Sequence, residues 1–543
     1  MRGYTMRRVS LALAAFLSAG TLIAGPYDDQ AVSSAQKAKT GSTAGAAVSV
    51  PSTGVLKQVA TRYPIQRYPS LDAAFDALNS NERDVLAKVR YVWDNDDAWY
   101  TRWRMISDAK QTIDCTYYIV DKDIFGQSFL GLLCKKAREG VKIRLMVDGR
   151  IYRSPYMKGM ADRFQELARF SNVQIKLFNS VSQSLLHMFT DFKGLFASNH
   201  DKIIIADGKT SIIGGRNIGP DYYGDKGEYP IIYRDSDILM EGNHITARLL
   251  KAFNTEWNGL RNSAVKPDRW NWNDQMDRLN IACMVMDRYM YGKGLIDPKK
   301  VTNWTKKQRE ILTELNEEIS KFKKISGFAD FELWNRATTI APVKVIDKES
   351  AIGKMNDITP CIVSFIDSAN EEILIQNPYV VLTDQAYQAL KRASARGVKI
   401  IFHSNSGNST DSLFPQAFLM NDWKQMLKDM PTCRILVAPS QNERLHSKVF
   451  VFDSKITIIG SYNMDPLSED KNSEIVAVVN DAQFGAETME QMHRDMAVVL
   501  EYTIKINPDG SVEKVFGPED HLNEKILKRM NLYRKLKWIR PVI

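Results

Sequence analysis

Two histidines in this chain head the same polar pattern. Residues Ser198–Asn217 read SNHDKIIIADGKTSIIGGRN, and Arg444–Asn463 read RLHSKVFVFDSKITIIGSYN. Superposed on histidine, His200 falls on His446, Lys202 on Lys448, Asp207 on Asp453, Gly214 on Gly460 and Asn217 on Asn463. Each copy is HxKxxxxD followed by a β-branched run and GxxN. These residue types suit a phosphodiester. Lys202, Lys448, Asn217 and Asn463 offer positive charge and hydrogen-bond donors to non-bridging phosphate oxygens. With two lysines present, the phosphate needs no metal ion or other cofactor to neutralise it. One imidazole can attack phosphorus to give a covalent phosphohistidine. The other can protonate the leaving alcohol and then activate the incoming hydroxyl. A single histidine cannot serve both sides of phosphorus, so the two copies imply one shared site.

The spacing predicts how each copy delivers its groups. His and Lys, two residues apart at the head of a predicted strand (202–206 and 448–452), face the same side. A turn at Asp207-Gly208 or Asp453-Ser454 sends the chain back through Thr210–Ile213 or Ile456–Ile459. Asn217 or Asn463 then returns beside the histidine. Asp207 and Asp453 belong to the catalytic motif but are expected to hold the hairpins together more than to touch substrate.

The elements around the motifs repeat as well. Gln111–Val120 and Glu371–Val380 read as strands, Gln127–Glu139 and Asp384–Arg396 as helices with apolar residues three and four apart. The stretches GVKIRLMVDG (140–149) and GVKIIFH (397–403) then read as second strands. Strand–helix–strand order with buried strands predicts an α/β fold of two similar halves. Each half is a mixed sheet flanked by helices, and a pseudo-two-fold relates them.

The paired HxKxxxxD–GxxN motifs resemble those of the phospholipase D superfamily, over about Tyr91 to the C-terminus. The continuations GGRNIGPDYYG with RDSDILMEG, and SYNMDPLS with KNSEIVAVV, are similar to those of bacterial cardiolipin synthases. The resemblance implies phosphatidyl transfer with phosphatidylglycerol as acceptor, a second phospholipid as donor, and peripheral membrane contact. It implies His200 as nucleophile and His446 as general acid/base. A lipid hydrolase and an exported nuclease are the alternatives, although tandem motifs in one long chain make nucleic acid the less expected substrate. Glu474, on a strand soon after the second motif, is placed to hold an imidazole in one tautomer, as in a triad. Asp237, within RDSDIL, is the matching candidate in the first half.

Length and composition bound the rest. At 543 residues, with 44% hydrophobic and 25% charged residues, the chain is an ordinary folded protein larger than one core usually supports. A net charge of +9 suits nucleic acid or anionic lipid without choosing between them. Arg2, Arg7 and Arg8 before an apolar run, Val9–Ala24, read as a secretory signal or N-terminal anchor over 1–25. The expected location is periplasmic, or membrane-associated facing the periplasm. A flexible linker follows over 26–56, then a first half (57–262), an aromatic and helical segment (263–342), and a second half with a basic tail (343–543).

Several features are weaker. His187, His244, His403, His493 and His521 lie outside the motifs and are expected to be ordinary core or surface residues, with the aromatic flanks of His187 as a possible lipid-facing rim. The stretch 268–291, rich in Trp, Met and Tyr, suits either acyl chains or a buried interface. Residues 306–324 read as a solvated bridging helix. The basic tail 525–540 suits either an anionic membrane surface or packing against the body. The five scattered cysteines specify no disulfide, and Cys115 and Cys134, within apolar stretches, are expected to be buried.

Overall fold

The computed structural model describes residues 61–80, 85–152, 161–180, 197–267, 273–335, 337–349 and 355–542. The N-terminal apolar run, the linker, His187 with its flanks and residues 268–272 lie outside them.

The strands in chain order are β1 (Leu86–Val92), β2 (Thr112–Tyr117), β3 (Lys142–Asp148), β4 (Val173–Phe178), β5 (Ile203–Ala206), β6 (Thr210–Gly214), β7 (Ile232–Arg234), β8 (Asp237–Glu241) and β9 (Ser263–Ala264). They continue with β10 (Thr338–Lys348), β11 (Glu372–Gln376), β12 (Lys399–Asn405), β13 (Cys433–Ala438), β14 (Glu443–Leu445), β15 (Val449–Phe452), β16 (Ile456–Gly460), β17 (Glu474–Asn480), β18 (Leu500–Ile506) and β19 (Val512–Phe516).

Each half repeats one arrangement. In the first, β2, β3 and β4 run parallel, β5 pairs antiparallel with β2, and β6 and β8 follow. In the second, β11, β12 and β13 run parallel, β15 pairs antiparallel with β11, and β16 and β17 follow. The near-continuous apolar runs of these strands are what a sheet covered on both faces requires. The halves are joined edge to edge. β1 pairs with β8 and with the first part of β10, and the remainder of β10 pairs with β17. One mixed sheet therefore crosses the molecule, and Ile205, Ile213, Val451, Ile459 and Ala477 share a core between the halves.

Core membership differs from chain order in two places. The helix Leu71–Ala77, assigned by position to the first half, packs Leu71, Ala74 and Phe75 with Ile358, Ile362 and Phe365 of the second. In the helix Asn273–Met290, Leu279, Cys283, Met286 and Met290 are buried in the core of the first half. The helix Lys306–Ile319 buries Ile311, Leu312, Leu315 and Ile319 in that same core. The interposed segment therefore completes the first half, and these buried apolar residues are committed to packing, while Met284, Leu295 and Ile340 are exposed. A solvated bridge would leave the 306–319 stripe in water at a cost of about 1.5–3 kcal/mol per large side chain. All five cysteines are free and buried. No helix among the described residues is long and apolar enough to cross a membrane.

Candidate active site

Each motif forms a β-hairpin, β5–β6 or β15–β16, closed by a three-residue connection. The turn residues Asp207, Gly208, Asp453 and Ser454 all have positive φ, between 49° and 60°. That backbone matches strand twist in tight hairpins and is tolerated by Asp and Gly. The Asp207 carboxylate accepts from the backbone N–H groups of Lys110, Gln111 and Thr112 at 2.7–3.1 Å. Asp453 does the same for Asn370, Glu371 and Glu372, each at 2.9 Å. Both aspartates thus tie the hairpin turn to the start of the neighbouring parallel strand. The geometry gives them a structural office away from the histidines, although they belong to the motif.

The histidines stand at the other end of the sheet. Asn405, the last residue of β12, exchanges two hydrogen bonds with the backbone of Leu445, at 2.7 and 2.9 Å. In the first half Asp148, the last residue of β3, accepts from Asn199 N–H at 3.2 Å. The residue before each histidine is therefore fixed to the C-terminal end of a parallel strand, where α/β sheets place their ligands.

The two halves then exchange partners. β14, leading into His446, pairs with β7 of the first half, and His446 N–H donates to Arg234 O at 2.7 Å. Asn199 bridges Ser473 of the second half, and His200 N–H donates to Ser473 O at 3.2 Å. The side chains cross in the same way. His200 Nδ1 lies 3.1 Å from Glu474 Oε2, and His446 Nδ1 lies 2.6 Å from Asp235 Oδ2. Neither half holds its own histidine.

Glu474 occupies the place its position in sequence suggests. Its carboxylate is fully buried and also accepts from Ser461 Oγ at 2.5 Å and Ser468 Oγ at 2.7 Å. Asp237 does not reach a histidine. It is gripped by Arg102 through two bonds of 2.9 Å and by Arg216 at 2.8 Å, all three residues being buried. The partner of His446 is Asp235. Register explains the displacement. Gly214 pairs with Asp237, whereas Gly460 pairs with Val476, so the counterpart of Glu474 is two residues before Asp237. Gly215 makes room for this carboxylate, since a Cβ there would stand 2.1 Å from Asp235 Oδ1.

The lysines lie against their own histidines. Lys202 Nζ donates to His200 O at 2.6 Å, and Lys448 Nζ donates to His446 O and stands 2.8 Å from His446 Nδ1. Burial lowers the Lys202 pKa to about 7, against the pull of Glu474 and with the repulsion of Lys448. Burial likewise lowers Lys448. Burial brings His200 down to about 4, and the nearby lysines add to this against Glu474. His446 is lowered by burial and by Lys448 against Asp235. Burial acts to raise Asp235 and Glu474, but the facing imidazoles and lysines outweigh it and leave both carboxylates lowered.

The two asparagines differ. Asn217 accepts from Ile119 N–H at 3.2 Å and donates to Tyr222 Oη at 2.9 Å, while Asn463 Oδ1 is buried without a hydrogen-bond partner among the described residues. Aromatic rings enclose the imidazoles: Tyr118 stands 5.5 Å from the His200 ring, and Tyr222 and Tyr233 stand 5.4 and 5.1 Å from His446. No periodicity marks these tyrosines, because they come from a loop, the short helix Pro220–Tyr223 and the short strand β7. Among the other histidines, His403 is buried beside Gln376 in the second half and His244 meets Val343 O, as ordinary packing predicts.

A family model described as "Cardiolipin synthase, PLD-like domain" matches residues 103–257 and 362–496, together more than half the chain. The two matched stretches contain one histidine motif each. The chain belongs to the phospholipase D superfamily. Within it the chain is cardiolipin-synthase-like, and it is a phospholipid phosphatidyltransferase of that superfamily. Cardiolipin synthase C of Escherichia coli (strain K12) is 25% identical over 429 residues, spanning 73% of this chain and 81% of that one. Cardiolipin synthase A of Pseudomonas aeruginosa is 22% identical over 462 residues, spanning 84% and 73%. The solved structure of phosphatidylserine synthase from Haemophilus influenzae Rd KW20 shares the fold, with a TM-score of 0.58 at 10% identity over 87% of this chain and 99% of that one.

Proposed function

We propose that this phospholipase D superfamily enzyme moves a phosphatidyl group from a donor phospholipid to a headgroup hydroxyl of phosphatidylglycerol, forming cardiolipin through a phosphohistidine. The observation that carries the reading is the crossed pair of contacts, His200 on Glu474 and His446 on Asp235. An imidazole that donates Nδ1–H to a buried carboxylate keeps its lone pair at Nε2, directed away from that carboxylate.

His200, neutral at ordinary pH, attacks phosphorus through Nε2. The bond from phosphorus to the leaving alcohol breaks as His446 gives that oxygen a proton. The acceptor hydroxyl then loses its proton to His446 and attacks phosphorus, and the P–N bond breaks. The anionic phosphodiester between Lys202 and Lys448 offsets their repulsion and raises the proton affinity of His446, so substrate binding itself readies the acid. Lys202, Lys448 and Asn463 bind the non-bridging oxygens. Asn217, already engaged with Tyr222, positions the tyrosine beside His446. The names of the relatives support an alcohol over water as acceptor. The N-terminal charged and apolar segment supports a site facing the periplasm, which a reporter fusion after residue 60 would test.

The test uses the purified full chain with phosphatidylglycerol carrying label in its phosphate. Cardiolipin and free glycerol are expected, with acid-labile label on rapidly quenched protein. His200→Ala should lose the protein-bound label, and both His200→Ala and His446→Ala should lose turnover. Phosphatidic acid without cardiolipin would make the enzyme a hydrolase, and turnover surviving in either variant would overturn the mechanism.

A further inference from the structure

The C-terminal segment has two unlike faces. In the helix Glu524–Tyr533, Ile526, Leu527, Met530 and Tyr533 pack against Leu413, Ala417 and Met420. Tyr533 stacks on Phe414 at 4.1 Å, and the turn that follows buries Ile539 against Val381 and Phe418. The opposite face exposes Lys525, Lys528, Arg529, Lys535 and Lys537. Among these cations stand Leu532, 59% exposed, and Trp538, 62% exposed. The segment is thus folded onto the body and still presents a net basic and apolar surface, its one acidic residue, Glu524, pairing with Lys528 at 2.6 Å.

We propose that this face docks the enzyme on an anionic phospholipid bilayer. Cations that meet lipid phosphates, with an indole and a leucine available to enter the headgroup boundary, match an interfacial surface in both charge and polarity. A second copy of the chain is a poor occupant, because a two-fold contact would set five cations against the same five. Nucleic acid would meet the cations but leave Leu532 and Trp538 without apolar partners.

The position of the face serves the site. It rests on the helix Leu413–Asp429 and touches the short helix Pro466–Asp470, whose Ser468 holds Glu474. Asn408, in the loop leaving the C-terminal end of β12, donates to His521 O just before the basic helix. The docking face is therefore built on the same end of the sheet as His446. The inference rests on the lipid reading above only in taking the substrate to be a membrane lipid.

All five native cysteines are buried, so a thiol introduced as Leu532→Cys accepts a polarity-sensitive dye selectively. With the full chain, dye at 532 should brighten severalfold and shift to the blue on phosphatidylglycerol vesicles but not on phosphatidylcholine vesicles. Dye at Leu260→Cys, a site 88% exposed, should respond to neither. Reversing Lys525, Lys528, Arg529 and Lys535 to Glu should weaken the vesicle affinity read from the dye at 532 more than 100-fold, from about fivefold per basic residue at an anionic surface. That variant should still turn over short-chain phosphatidylglycerol dispersed in detergent. A silent dye at 532, equal response to both vesicles, or the same response to duplex DNA would each overturn the docking face. Docking without lipid turnover would instead remove the proposed reaction and leave the docking face standing.

Discussion

Asp235 and Asp237 lie two residues apart, and exchanging each for asparagine should give opposite failures. Asp235 is fully buried, with Oδ2 2.6 Å from His446 Nδ1. Asp235→Asn keeps the shape and removes the charge that stabilises a protonated His446. The lost charge-assisted hydrogen bond is worth about 1.5–3 kcal/mol, which is about 10- to 150-fold in kcat. If the new amide turns Nδ2 towards the ring, Nδ1 becomes an acceptor and the proton moves to Nε2. Inverting a triad tautomer in this way costs about 10⁴-fold. Turnover should therefore fall at least tenfold, with little change in melting temperature. Asp237→Asn leaves Arg102 and Arg216, 1% and 0% exposed, without their shared counter-charge. Breaking a buried ion pair from one side costs about 3–5 kcal/mol. The melting temperature should drop, while the folded remainder keeps kcat within a few-fold. Steady-state cardiolipin formation and thermal melts on the two proteins decide the matter. Undiminished kcat in Asp235→Asn, or loss of kcat at an unchanged melting temperature in Asp237→Asn, would refute the assignment.

The same geometry gives further expectations. Glu474→Gln should slow formation of the phosphohistidine tenfold or more in a rapid-quench experiment, because it frees the His200 ring. Lys202, brought by burial to about 7, loses its charge in the free enzyme as pH rises through that value, so kcat/KM should decline above about pH 7. Lys202→Arg should carry that decline to higher pH. His200 titrates at about 4 in the folded state against 6.5 ordinarily. Between those values the unfolded chain holds a proton the folded one does not, so this group removes stability as pH falls from 6.5 and levels off near 4. Urea unfolding at pH 7 and pH 5 should accordingly show a smaller loss for His200→Gln than for the parent. Asp207→Ala and Asp453→Ala each leave three backbone donors short of an acceptor and put alanine at positive φ. Each should cost about 2–3 kcal/mol in denaturant titrations and spare kcat.

The fold class and the identity of both motifs were legible because they rest on local spacing. An HxK pair on a strand, a turn-forming Asp and a GxxN return need only a few residues to be recognised. The repeated strand–helix–strand pattern marks the two halves for the same reason. The cores were less legible. The helix Leu71–Ala77 is amphipathic wherever it packs, and nothing in its pattern says that it covers the second half. The carboxylate for His446 was hidden by a misleading similarity. SDI at 236–238 matches SEI at 473–475 in residue type, yet strand register sets Asp235 opposite Glu474. A shift of two residues leaves a side chain on the same face of a strand, so periodicity cannot detect it. The exchange of carboxylates between halves, and the two faces of the basic tail, depend on contacts between residues more than a hundred positions apart. Sequence by itself singled out the two motifs and the histidine, lysine and asparagine that each contributes. The tertiary structure decided which carboxylate each imidazole leans on, because only the pairing of β7 with β14, and of Asn199 with Ser473, brings them within reach.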